Sequence, residues 1–152
     1  EMAEQMALDL VRKHVLTDQL VLTIGYDVAN IGPGSTYCGE IHIDHYGRAV
    51  PKHAHGTVHL ERHSASSQDI ITATAALFDR IVDPSLLIRR ITIDACHVLR
   101  ENDRRATPRQ LSLFEAQPQT EKDARARERR VQETVLSLKA RFGKISCCAP
   151  PV

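Results

Sequence analysis

A chain of 152 residues, 42% hydrophobic and 26% charged, has enough apolar side chains for one modest core with polar extensions, so one domain is the prior. Its net charge of +1 decides little about partners, because a basic face can hide inside a balanced total. No apolar run approaches the length needed to cross a bilayer, the start lacks a secretory stretch, and Cys38, Cys96, Cys147 and Cys148 include no CxxC spacing. Membrane-spanning, secreted and thiolate-zinc classes are thereby disfavoured, and a soluble, intracellular protein with reduced thiols is expected.

The chain opens at Glu1 inside what reads as a helix, so a segment cut from something longer is expected. Met2, Met6, Leu10 and Val11 share one helical face, with Arg12, Lys13 and His14 at the C-terminal turn, and the helix is predicted to end near Thr17. LVLTIGYDV (20–28) alternates Leu22, Ile24 and Tyr26 with Thr23, Gly25 and Asp27, the pattern of a half-buried strand. Gly32-Pro33-Gly34 marks a loop, and residues 40–46 suggest a strand broken at Gly47.

KHAHGTVHLERH (52–63) carries His53, His55, His59 and His63, just after His42 and His45. Thr57 to His63 alternates again, with Val58 and Leu60 on the core side and Thr57, His59 and His63 on the polar side; Lys52, His53 and His55 form a polar approach and Gly56 a turn into the strand. Ser66 and Asp69 resemble a capping box opening a helix through Ile70, Ile71, Thr74, Leu77, Phe78 and Ile81, which Asp83-Pro84 stops. LLIRRITIDACHVL then places Ile91 and Ile93 on one strand face and Arg90, Thr92 and Asp94 on the other.

Helix, strands, helix, strand predicts an α+β fold: a small, mainly antiparallel sheet backed on one face by two helices. The free face would carry Thr23, Thr57, His59, His63, Arg90 and Thr92. Beyond residue 100 the chain turns polar and charged, a linker over 101–120. Residues 121–143 read as a charged helix with a thin apolar stripe of Val131, Val135, Leu138 and Phe142 and a solvated charged face. The linker holds one apolar island, Gln110, Leu111, Ser112, Leu113 and Phe114, whose large side chains would stand exposed unless a partner takes them or they fold back on the domain.

QLSLF resembles the Q-L-x-L-F pentapeptide by which bacterial replication and repair proteins dock on the sliding DNA clamp. GYDV, HGTVHL with its Ser-rich helix start, LFDRIVDPSLLIRRITI and VQETVLSLKARFGK resemble, in order and spacing, the C-terminal part of bacterial Y-family translesion DNA polymerases, over almost the whole chain to Lys144. The resemblance implies a little-finger domain over 1–100, its first strand upstream of Glu1, which lays its open face along duplex DNA and contacts phosphates. It implies clamp binding through Gln110, Leu111, Ser112, Leu113 and Phe114, and a cytoplasmic, nucleoid-associated place in DNA repair and the damage response. Residues 144–152 depart from the family's pattern.

Arg89 and Arg90 match the family's basic pair and lead the expected phosphate contacts, with Thr23, Lys52, Thr57, His59, His63 and Thr92 beside them. Aromatics are only 4% and Trp is absent, so tracking of a duplex backbone fits better than base stacking along a single strand. Imidazoles titrating near pH ~6.5 beside phosphates would tighten DNA binding at lower pH.

No cluster of carboxylates able to hold Mg²⁺ at a nucleotide is evident, so no catalytic residue and no cofactor is expected in this segment; the resemblance places the Mg²⁺-dependent polymerase centre upstream. An inactive, polymerase-bridging adaptor would keep the same DNA and clamp contacts and lack the upstream carboxylates. A histidine-based metal regulator needs ligands to converge, and on a straight strand His59 and His63 stand ~13 Å apart at ~3.3 Å per residue. No metal is therefore expected.

Overall fold

The spacing of Ala3, Ala7, Leu10 and Val11 buries one side of α1 (Met2–Arg12). In the computed structural model, which describes residues 1–32, 34, 35, 37–106 and 119–143, this helix ends well before Thr17. His14 takes a positive φ of 54°, the left-handed turn that commonly follows a helix end, and β1 (Val15–Tyr26) begins at once. Long-range pairing decides the boundary. Val15 and Leu16 pair with Arg100 and Leu99 in β6 (Leu99–Arg100), and the fully buried Thr17 hydroxyl donates to the Cys96 carbonyl at 2.5 Å. No helical periodicity within residues 1–17 records those partners.

β1 is the middle of the sheet. It runs antiparallel to β4 (Ala54–Ser64) on one side and β5 (Ile88–Cys96) on the other. Leu20, Leu22, Ile24 and Tyr26 point inward and are at most 5% exposed, so strict alternation fixes which face is core. Leu20 joins the α1 residues Ala7, Leu10 and Val11 and Ile70 in one cluster; Leu22, Ile24 and Tyr26 join Leu77 in a second. Burial of each such aliphatic side chain stabilises by about 1.5–3 kcal/mol.

Ile70 and Leu77 belong to α2 (Ser67–Ile81), whose N-terminus is capped as expected: the Ser66 hydroxyl accepts from the Asp69 N–H at 3.3 Å. α1 and α2 lie side by side on the core face. Gly56 is not a turn; it sits inside β4 opposite Leu22. A Cβ there would lie 2.8 Å from Leu77 Cδ1 and 2.9 Å from Ile81 Cγ2, so glycine lets α2 approach the strand closely.

The strand expected over residues 40–46 does not join this sheet. Instead β2 (Ile41–Ile43) and β3 (Ala49–Pro51) pair only with each other, as a hairpin inserted between β1 and β4.

After β6 come α3 (Glu101–Ala106) and α4 (Gln119–Phe142). α4 contacts the domain through polar residues. Gln132, 5% exposed, donates from Nε2 to the Ala65 carbonyl at 3.0 Å and to Ser67 Oγ at 2.8 Å. Glu128 accepts from Ser66 Oγ at 2.8 Å and from the Gln68 N–H at 3.3 Å, and Arg129 pairs with Glu101 at 2.9 Å. The charges expected to be solvated are thus partly structural. Of the stripe chosen on hydrophobicity, Val131, Leu138 and Phe142 are 58%, 43% and 64% exposed and Val135 is half-buried, while Leu136 packs on the core. A buried glutamine with two partners outweighs an apolar stripe because the Ala65 carbonyl and the Ser67 hydroxyl at the start of α2 offer its amide two acceptors.

Candidate nucleic-acid interface

The sheet face opposite α1 and α2 is built by register. Beginning at one end, Gly25 of β1 stands beside Arg90. The next row is His55, Thr23 and Thr92, then Thr57, Val21 and Asp94, then His59, Gln19 and Cys96. Five of the expected contact residues, Thr23, Thr57, His59, Arg90 and Thr92, therefore share one face although they come from three strands. His55 belongs to the same face as part of β4 rather than to an approach; its Nδ1 lies 3.2 Å from Thr23 Oγ1. Taken together the rows carry Thr hydroxyls, the His55 and His59 imidazoles and the Arg90 guanidinium, donors that suit phosphate oxygens without reading bases, with the Asp94 carboxylate among them.

Arg89 reaches the site by an irregularity. The register steps from Gly25 against Arg90 to Tyr26 against Ile88, leaving Arg89 as the extra, exposed residue of a bulge. That bulge is anchored by Asn30, 9% exposed, which donates from Nδ2 to the Leu87 carbonyl at 2.9 Å and accepts from the Leu87 N–H at 2.8 Å on Oδ1. Sequence reasoning passed over Asn30. Its signal was an Asp27-x-x-Asn30 pair just after a strand, and Asp27 Oδ1 does accept from the Ala29 N–H at 2.9 Å. Among the described residues neither Arg89 nor Arg90 has an ion-pair partner, so both charges are available.

The other end of the face differs. Between Gln19 opposite His59 and Thr17 opposite Ser64 the β4 ladder breaks, and Asp18 comes to lie between two imidazoles. Its Oδ2 is 3.5 Å from His63 Nε2 and its Oδ1 3.3 Å from His97 Nδ1, while the His59 and His97 rings are 6.5 Å apart. Oδ1 is buried yet lacks a well-aligned donor, so the 3.3 Å approach to His97 counts as proximity and not as a hydrogen bond. His63 is thus placed beside a carboxylate instead of standing free in a cationic row. Asp94 adds a second carboxylate, exposed on the face itself. Among the described residues no three His, Cys, Asp or Glu side chains are arranged to hold a metal ion.

Lys52 lies off the sheet. Its Nζ pairs with Glu40 Oε2 at 2.7 Å across the base of the hairpin; that hydrogen bond raises the lysine pKa and lowers the glutamate's. The clamp-binding residues Gln110, Leu111, Ser112, Leu113 and Phe114 lie outside the described residues.

Arg80 covers the outer edge of β4 by donating to the Thr57 carbonyl at 3.1 Å, which leaves the face, not that edge, as the accessible surface at this point. No helix is long and apolar enough to cross a membrane among the described residues. No protein-family model matches the chain, and no curated protein matches it.

Proposed function

We propose that this chain is the DNA-binding and sliding-clamp-binding C-terminal region of a Y-family DNA polymerase acting in translesion synthesis and DNA repair. The observation that carries the reading is the open sheet face, with Thr23, Thr57, His59, Arg90 and Thr92 in register on the side that α1 and α2 leave uncovered. Such a surface grips phosphates whatever the sequence, as a polymerase must while template passes. The order of the segments that resemble that family supports the same reading, and Gln110, Leu111, Ser112, Leu113 and Phe114 supply the clamp contact. In that arrangement the parent's Mg²⁺-dependent nucleotidyl transfer takes place upstream, and this region holds the product duplex and the clamp, in the cytoplasm at the nucleoid.

Two measurements test the halves separately. Changing Gln110, Leu113 and Phe114 together to Ala should weaken binding of the intact protein to a bacterial clamp by at least about tenfold, since few anchors dominate a small interface; unaltered binding removes the clamp half. In a salt titration of duplex affinity, Arg90→Ala should make the slope shallower by about one; an unchanged slope removes Arg90 from the DNA surface.

A further inference from the structure

The face does not stop at Arg90. Beyond Gly25 and Arg90 it opens into a cleft of about 510 Å³ between the end of the sheet and the β2–β3 hairpin. Arg89, Arg90, His42, His45, His53, Arg48 and Tyr46 line it, and Asp44 is the one acid among its lining residues. Asp44 is committed. Its Oδ1 accepts from the Tyr46 and Arg48 N–H groups at 2.8 and 2.9 Å, and its Oδ2 from the Arg48 guanidinium at 2.8 and 2.6 Å. With the Asp44 and Arg48 charges cancelling, Arg89 and Arg90 leave the cleft cationic and the imidazoles add donors.

The hairpin tip is a preset loop. The Gly47 N–H donates to the Asp44 carbonyl at 3.0 Å, and Gly47 takes a φ of +76° that a side chain would oppose. Held on this turn, Tyr46 is 77% exposed, and its ring is contacted by Arg48, whose guanidinium carbon lies 5.0 Å from the ring centroid, and by His45 edge-on at 5.5 Å. An exposed phenol lining a cationic cleft has no core to serve. It offers a π-face in the cleft that Arg89 and Arg90 also line, the combination that holds a single-stranded nucleotide by base and backbone together.

We propose that the hairpin cleft is a subsite for single-stranded nucleic acid at the end of the duplex path, with a base stacked on Tyr46 and its phosphate held by Arg89 and Arg90. The proposal rests on the duplex-binding reading above and extends it from the sheet to the hairpin. Ile41 and Ile43, 52% and 58% exposed, also make the hairpin a surface that a protein could cover, but the unpaired arginines favour a polyanion.

The test compares the intact protein with its Tyr46→Ala and Tyr46→Phe variants on a blunt duplex and on the same duplex with a single-stranded overhang. Tyr46→Ala should lower overhang affinity about tenfold and leave blunt-duplex affinity within twofold, while Tyr46→Phe keeps both, since loss of one stacked base reads at about that scale. A photoreactive 5-iodouracil in the overhang should crosslink to Tyr46. Because the side chain is exposed, the melting temperature of Tyr46→Ala should match wild type, which separates a lost contact from a lost fold. Equal losses on both DNAs, or no loss on either, overturn the subsite while leaving the sheet reading intact. Unchanged DNA binding with loss of a protein partner overturns it in favour of the apolar surface. Failure of the wild type to bind either DNA overturns both readings together.

Discussion

The two ends of the open face are made of similar residue types and arrive at opposite electrostatics. At the hairpin end Arg89 and Arg90 are free of ion pairs among the described residues, and the one acid lining the cleft, Asp44, is tied to Arg48 at 2.6 Å. At the other end His63 and His97 flank Asp18, and Asp94 stands on the face between the two. Residue type alone is therefore a poor guide to a phosphate-binding surface. What matters is whether each cation already has a partner, and partners are set by register across the sheet.

The largest expected effect breaks the comparison if it fails. Changing Arg89 and Arg90 together to Ala should weaken duplex binding by about 10–100-fold near physiological salt and flatten the salt slope by about two, whereas His63→Ala should change affinity less than about twofold; both are read by fluorescence anisotropy across a salt series. Equal losses at the two ends would mean that the face binds as one uniform strip. A smaller effect of opposite sign sharpens the contrast: Asp18→Asn removes a carboxylate from the far end and frees two imidazoles, so duplex affinity should rise about twofold to fivefold. A fall in affinity with unchanged melting temperature would show that Asp18 orients its histidines for the contact.

The smallest effect is local to the hairpin. Hydrogen bonds from Arg48 hold the Asp44 carboxyl well below its ordinary value of 3.8, at about 2. Because the folded pKa is the depressed one, the tip's stabilisation is present above pH ~4 and is lost as pH falls through about 2. Backbone NMR signals of Tyr46, Gly47 and Arg48 should move together between pH 4 and 2, and Asp44→Asn should show the loosened tip already at pH 7. A tip that stays fixed in Asp44→Asn would place the order in the turn backbone and not in the ion pair.

Much of this architecture was legible in local pattern. The alternation of Leu22, Ile24 and Tyr26 announced the central strand, and Ser66 with Asp69 announced α2. Thr23, Thr57, His59, Arg90 and Thr92 fall together because a period of two leaves no freedom once the core side is known. What was not legible depended on residues far apart in the chain. The start of β1 is decided by Leu99, Arg100 and Cys96; the role of Gly56 by Leu77 and Ile81, more than twenty positions on; the state of His63 by Asp18. The same holds for α4, where hydrophobicity pointed to Val131 and Leu138 while Gln132 makes the buried contact.

That last contact changes how the chain divides. Ser66, the N-cap of α2, bonds to Glu128 across 62 positions, and Gln132 reaches Ala65 across 67. A break in the backbone anywhere between residues 106 and 119 would cut covalent continuity without cutting these bonds. The two pieces are expected to behave as a fragment-complementation pair: the C-terminal helix, added back as a separate peptide, should return to the start of α2 the Glu128 acceptor for the Ser66 hydroxyl and the Gln68 N–H.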